Sequence, residues 1–143
     1  MEDIFTFTTP EEIEIAVRLL LAAVFGAAVG YERRSADKPA GLRTLSLVAV
    51  GSALFTMISA FGFESADQSR VAAQIVTGVG FLGAGTILRS GVTVSGLTTA
   101  ATIWATAAIG MAVGSGMYIA SAAGTALILI ILYVFAPSRD RES

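Results

Sequence analysis

The sequence lacks cysteine and histidine, and it carries little charge. None of its 143 residues is Cys or His, and only 14% are charged, against 55% that are hydrophobic. Without cysteine there can be no disulfide or thiolate metal site, and cysteine usage gives no information on the redox compartment. Without histidine the commonest proton shuttle and metal ligand is gone. The composition is typical of a protein in a lipid bilayer, and a net charge of -2 gives no reason to expect nucleic acid.

The longest stretch without a charged residue runs from 90 to 138. A hydrocarbon core about 30 Å thick takes about 20 apolar residues per helix, so this stretch holds two spans joined at Gly114–Gly116. The same reasoning along the chain predicts an all-α integral membrane bundle in a single domain, residues 1–143. Its five transmembrane helices are expected at about 10–30, 42–61, 70–88, 97–113 and 117–136.

Small residues recur along one side of several predicted helices. In lipid they let helix backbones approach closely. The third helix has glycines at 78, 80, 83 and 85, so we expect it at the centre of the bundle, with Gly80 and Ala84 against a neighbouring helix. The pattern Gly78-x-Gly80-x-x-Gly83 has no preceding strand and no acidic residue about 20 positions on, so no nucleotide or other cofactor is expected. The stripes are Ala22, Gly26 and Gly30; Ala73, Thr77, Gly80 and Ala84; and Thr98, Thr102, Thr106, Gly110 and Gly114.

Basic residues set the expected orientation. If there are five spans, seven of them fall on one side, Arg70 lies on the other, and Arg18 lies within the first helix. Since positive charge stays in the cytoplasm, we predict the N-terminus outside and the C-terminus inside. The seven are Arg33, Arg34, Lys38, Arg43, Arg89, Arg139 and Arg141.

A weak internal repeat appears at an offset of 55 residues. It pairs Gly30, Arg34, Gly41, Leu42 and Thr44 with Gly85, Arg89, Gly96, Leu97 and Thr99. Chance is one explanation, because glycine and threonine are abundant. Duplication is the other, and it predicts two equivalent helical hairpins plus a fifth helix, which we expect to face lipid.

Charged and amide side chains within or beside the spans are the candidate functional residues. Arg18 needs a partner, and Glu14 lies four residues earlier on the same helix face; a structural anchor and a functional pair are both open. Glu32 and Arg43 flank the first loop, where either orientation by charge or a buried or partner contact would explain them. Arg70 is expected to neutralise Glu64 or Asp67, or to cap the outer end of the bundle. For Gln74 we favour an interhelical hydrogen bond over lining a polar cavity.

Several ungapped blocks resemble the membrane domain of the MgtC/SapB family of bacterial inner-membrane proteins. They are RLLLA, GYERR, KPAGLRT, RVAAQIVTGVGFLGAG and GLTTAATIWATAAIG, the last containing Thr98 and Thr99. The resemblance implies a five-helix fold and a role in growth at low magnesium or survival in hosts. It also implies regulation of other membrane machinery, including the ATP synthase. Longer members continue into a soluble domain, so the resemblance covers the membrane domain only.

Three classes of function follow. A regulator or scaffold would bind other membrane proteins or a second copy of itself. A small channel or transporter for ions or a neutral solute is the alternative. No Asp, Glu or His lies between Arg70 and Pro137, which argues against a dedicated cation path. No nucleophile–base or metal constellation supports an enzyme.

Overall fold

A computed structural model describes residues 9–62, 67 and 69–136. The helices are α1 Thr9–Ser35, α2 Leu42–Phe61, α3 Ser69–Ala84, α4 Leu97–Gly114 and α5 Tyr118–Val134. Helices α1, α2 and α4 are long and apolar enough to cross a membrane, α5 is a shorter apolar helix, and α3 has 16 residues. A membrane bundle is therefore supported, while five spans remain a prediction.

The segment between α3 and α4 corrects the all-α prediction. Helix α3 ends at Ala84 rather than at 88, and the chain then forms an antiparallel hairpin of β1 Leu88–Ser90 and β2 Thr93–Ser95. Gly91 and Gly96 have φ angles of 62° and 88°, which glycine adopts without strain. Because one lies in the turn and the other ends the hairpin, they direct this segment into strands rather than helix.

Helix α1 runs five residues past its predicted end, and its terminus is closed by backbone hydrogen bonds. The Lys38 N–H donates to the Arg33 carbonyl at 2.9 Å and the Asp37 N–H to the Arg34 carbonyl at 3.0 Å. Asp37 itself has a φ of 55°. This is the Schellman arrangement, and it places the two arginines in the last helical turn, where the helix dipole favours positive charge.

Helix α2, not α3, lies at the centre of the bundle. A Cβ on Gly26 of α1 would stand 2.6 Å from the Leu45 carbonyl oxygen, and one on Gly110 of α4 would stand 2.2 Å from that of Ala49. Helix α2 therefore packs with its backbone close to that of α1 on one side and that of α4 on the other, which glycine permits in membrane helices. The glycines of the predicted stripes make these contacts, namely Gly26 and Gly30 on α1 and Gly110 and Gly114 on α4, whereas Thr98 is exposed.

The prediction that Gly80 and Ala84 pack against a helix of this chain is wrong. Both are exposed, and nothing lies within 4 Å of a Cβ built on Gly80. Helix α3 instead buries Ile75, Val79 and Gly83. Successive residues are about 100° apart on a helix, so the face carrying the larger Ile and Val side chains turns inward and the smooth stripe turns outward.

Helices α2 and α4 run parallel, since Gly110 meets Ala49 and Gly114 meets Ala53. Gly41 and Gly96 are the equivalent N-cap residues of these two helices. Two repeated hairpins would give this arrangement, and the duplication stays a prediction. Helix α5 covers the bundle at one side, and Leu127 on it is exposed, as expected for a helix that faces lipid.

Candidate functional site

Arg18 joins three helices at one end of the bundle. Its Nη1 donates to the Gly114 carbonyl oxygen of α4 at 2.6 Å, and its Nε donates to Glu14 of α1 and to the Tyr118 hydroxyl of α5, each at 3.1 Å. Its guanidinium carbon also lies 5.9 Å from the centre of the Tyr118 ring. The Glu14–Arg18 ion pair predicted from the sequence is confirmed. We call Glu14, Arg18, Gly114 and Tyr118 the Arg18 cluster.

The turn between α4 and α5 is shaped to admit the guanidinium. Gly116 has a φ of 78°, and the Met117 N–H donates to the Ala112 carbonyl at 2.8 Å, which again is a Schellman closure. A Cβ on Gly116 would approach Arg18 Nη2 to 3.2 Å. Glycine is therefore favoured here both by backbone conformation and by the space that Arg18 needs.

A cavity of about 240 Å³ borders the Arg18 cluster, lined by Glu11, Glu14, Ile15, Arg18 and Phe61. Arg18 is always cationic, and each of its three nitrogens donates to a carboxylate, a carbonyl or a phenol. The arrangement is therefore suited to fixing helices α1, α4 and α5 relative to one another.

The opposite end of the bundle contains a buried arginine, Arg33, which is not among the candidate functional residues predicted from the sequence. Arg33 is 4% exposed and donates from Nη2 to Glu32 Oε1 at 2.7 Å, with a second bond from Nε to Oε2. Orientation by charge is the only role that the sequence predicts for Arg33, and for Glu32 and Arg43 a buried or partner contact is one of two open explanations. The structure gives such a contact to Glu32, through Arg33, and leaves Arg43 exposed. A basic residue directly after Glu32 was the available signal.

Gln74 and Arg43 line a groove between α2 and α3. Within the described residues, neither side chain forms a hydrogen bond or ion pair, so the interhelical bond favoured for Gln74 is wrong. The groove has a volume of about 620 Å³. Gln74 thus lines a cavity, as the alternative interpretation had it, but most of the lining is apolar.

The remaining candidate residues lie neither in the Arg18 cluster nor beside the Glu32–Arg33 pair. Arg70 is exposed and forms no ion pair with Asp67, one of the two partners predicted for it; Asp67 instead accepts the Ser69 N–H at 2.9 Å and the Ser69 hydroxyl at 2.6 Å. These bonds hold the pKa of Asp67 below its usual value. Glu64 lies outside the described residues. Thr99 is buried, and the Thr98 carbonyl accepts the Thr102 hydroxyl at 2.7 Å.

The helices of the bundle are apolar, and the ion pairs lie toward its two ends. This arrangement is that of a membrane protein. The MgtC family pattern matches residues 19–141, and this chain belongs to that family. No solved structure matches it.

Three relatives illustrate the similarity. The chain is 51% identical to the "Putative magnesium transporter YhiD" of Escherichia coli (strain K12), over 85% of this chain and 60% of that protein. It is 44% identical to Protein MgtC of Brucella abortus (strain 2308), over 81% and 49%, and 47% identical to Protein MgtC of Salmonella typhimurium (strain 14028s), over 79% and 48%. The chain thus spans about half the length of these curated relatives.

Proposed function

We propose that this chain is a regulator or scaffold of other membrane proteins, active when magnesium is limiting or during survival in a host. We place it in the bacterial inner membrane with five spans, its N-terminus outside and its C-terminus in the cytoplasm. It acts by binding and not as an enzyme. The observation that carries the proposal is that Glu14 and Glu32 are each paired with an arginine.

Magnesium holds its water and is bound through carboxylate oxygens. Beyond the first turn of α1, the described helices contain two carboxylates, Glu14 and Glu32, and each is paired with an arginine of the same helix. No group of three or more acidic side chains comes together in the described part of the chain. A cation crossing the bundle would meet arginine beside each of these carboxylates, which favours a role other than carrying magnesium.

The outward face of α3 supports a binding role. Gly80 and Ala84 are exposed although small residues in membrane helices commonly serve close helix contacts. A helix of another protein, or of a second copy of this chain, would find a smooth surface there. The ATP synthase is the first partner to test, because the family resemblance implies it.

Transport is the second candidate, and the name of one relative, "Putative magnesium transporter YhiD", favours it. Two measurements on the same purified protein separate the candidates. Liposomes with a trapped magnesium or pH indicator report flux, and affinity capture from solubilised membranes, repeated with Gly80→Leu, reports partners bound through α3.

Regulation predicts no flux above that of empty liposomes and a captured membrane protein that Gly80→Leu releases. Magnesium or proton flux that Glu14→Gln or Glu32→Gln alters, with no captured partner, would overturn the regulatory assignment in favour of transport.

A further inference from the structure

The groove between α2 and α3 combines a long apolar wall with the cationic side chain of Arg43 at one end. Its apolar lining includes Leu47, Val48, Phe55, Ile75, Val79 and Leu82. Arg43 lies at the start of α2, at the end of the bundle where α1 ends and α2 begins, with Thr44 beside it. The site is distinct from the Arg18 cluster, since none of the cluster's residues lines it.

Two glycines widen this groove instead of closing it. Gly51 of α2 and Gly78 of α3 both line it, and apart from their own helices neither has any atom within 4 Å of the position a Cβ would take. Elsewhere in the bundle, at Gly26 and Gly110, the absent side chain lets another backbone enter. Glycine in a helix interior is unfavourable relative to alanine, and at Gly51 and Gly78 this chain gains no contact in return.

We propose that the groove binds one acyl chain of an anionic phospholipid whose phosphate is held by Arg43. Arginine matches phosphate geometry with paired N–H donors, and the Arg43 guanidinium has no partner among the residues the structure describes. A juxtamembrane arginine also attracts anionic lipid through its charge.

The dimensions fit one leaflet. From Arg43 to Phe55 the helix rises about 18 Å at 1.5 Å per residue, close to the roughly 15 Å depth of half a hydrocarbon core. A phosphate at Arg43 would therefore place an acyl chain along the whole groove, with its end near Phe55 and Gln74. Arg43 at the start of α2 thereby determines which leaflet and which headgroup the site binds, and the apolar wall of the groove contacts the acyl chain.

The test uses the full chain in nanodiscs or mild detergent, titrated with phosphatidylglycerol and with phosphatidylcholine, and bound lipid is counted by native mass spectrometry. The wild-type protein is expected to retain one phosphatidylglycerol in preference to phosphatidylcholine. Arg43→Gln should weaken phosphatidylglycerol about fivefold, the factor that one juxtamembrane cation contributes, and should weaken phosphatidylcholine less, because the choline ammonium already balances the charge of its phosphate. Arg89→Gln is the matched control, because that exposed arginine lies on the hairpin and not in the groove.

A second pair of variants tests the acyl-chain part. Gly78→Leu places a side chain in the groove, where no described atom outside its own helix lies within 4 Å of the new Cβ, and should reduce retention of phosphatidylglycerol and of any bound phosphatidylcholine. Gly124→Leu on α5, where the new Cβ likewise has no such atom within 4 Å but does not line the groove, should leave lipid retention unchanged.

Equal lipid retention by wild type, Arg43→Gln and Gly78→Leu would overturn the proposal. So would a dimer that Gly78→Leu dissociates, since a second copy would then occupy the groove, or a copurified peptide or protein that the same substitution releases.

Discussion

The guanidinium of Arg18 lies 2.6 Å from the carbonyl oxygen of Gly114, a residue 96 positions further along the chain. This bond ties the early part of α1 to the last residue of α4 and to the turn that follows. A helix-terminal carbonyl has no intrahelical partner, and at a buried position in an apolar bundle it needs one. Arg18 supplies that partner and is itself stabilised within the span by Glu14 and Tyr118.

Arg18→Gln is expected to lower the free energy of unfolding by about 1.5–3 kcal/mol, the range for hydrogen bonds to a charged group. Arg18→Lys should recover only part of this, because an ammonium cannot reach all three acceptors in the same plane. Unfolding in a single detergent measures both variants. Arg70→Gln, at an exposed arginine whose side chain has no partner in the described residues, should be nearly neutral. Equal effects at the two arginines would contradict the structural role of Arg18.

Gly110→Ala should be strongly destabilising, because its Cβ would stand 2.2 Å from the Ala49 carbonyl oxygen. Separating α2 from α4 to make room is expected to cost about 1–3 kcal/mol. Gly80→Ala makes the same chemical change on open surface and should be neutral or stabilising by up to about 1 kcal/mol from helix propensity. Thermal unfolding of the two variants side by side decides this. The opposite order would place α3, not α2, at the centre.

Glu32→Gln is expected to destabilise by about 1–3 kcal/mol, because it leaves the buried Arg33 without its carboxylate. Arg34→Gln is a control at the next position, where the side chain is exposed. Chemical denaturation monitored by circular dichroism compares them. If the two variants unfold together with wild type, the Glu32–Arg33 pair contributes nothing measurable.

Single cysteines report the topology without interference, because the chain has no cysteine of its own. A membrane-impermeant thiol reagent should reach cysteines at Ser65 and Ser115 from outside the cell, and one at Val92 only after the membrane is opened. Val92 is 97% exposed in the hairpin, and Ser65 lies outside the described residues. Labelling of Ser65 and Val92 from the same side would show that α3 does not span.

The sequence was sufficient wherever one local rule dominates. Long apolar stretches located the helices, since a bilayer demands continuous hydrophobic length. A spacing of four identified Glu14 as the partner of Arg18, because such residues share a helix face. The stripes through Gly26 and Gly110 were correctly assigned to close helix contacts.

Tertiary structure decided what spacing alone leaves open. Stripes of small residues look alike whether they face a neighbour or the bilayer, and in lipid both surroundings are apolar. Only the assembled bundle shows that Gly80 faces outward while Gly110 meets Ala49. The bond from Arg18 to Gly114 joins residues 96 positions apart, and its acceptor is a backbone carbonyl. Every residue carries a backbone carbonyl, so no residue type in the sequence could have marked this one, and only the packing of α1 against α4 brings it to Arg18.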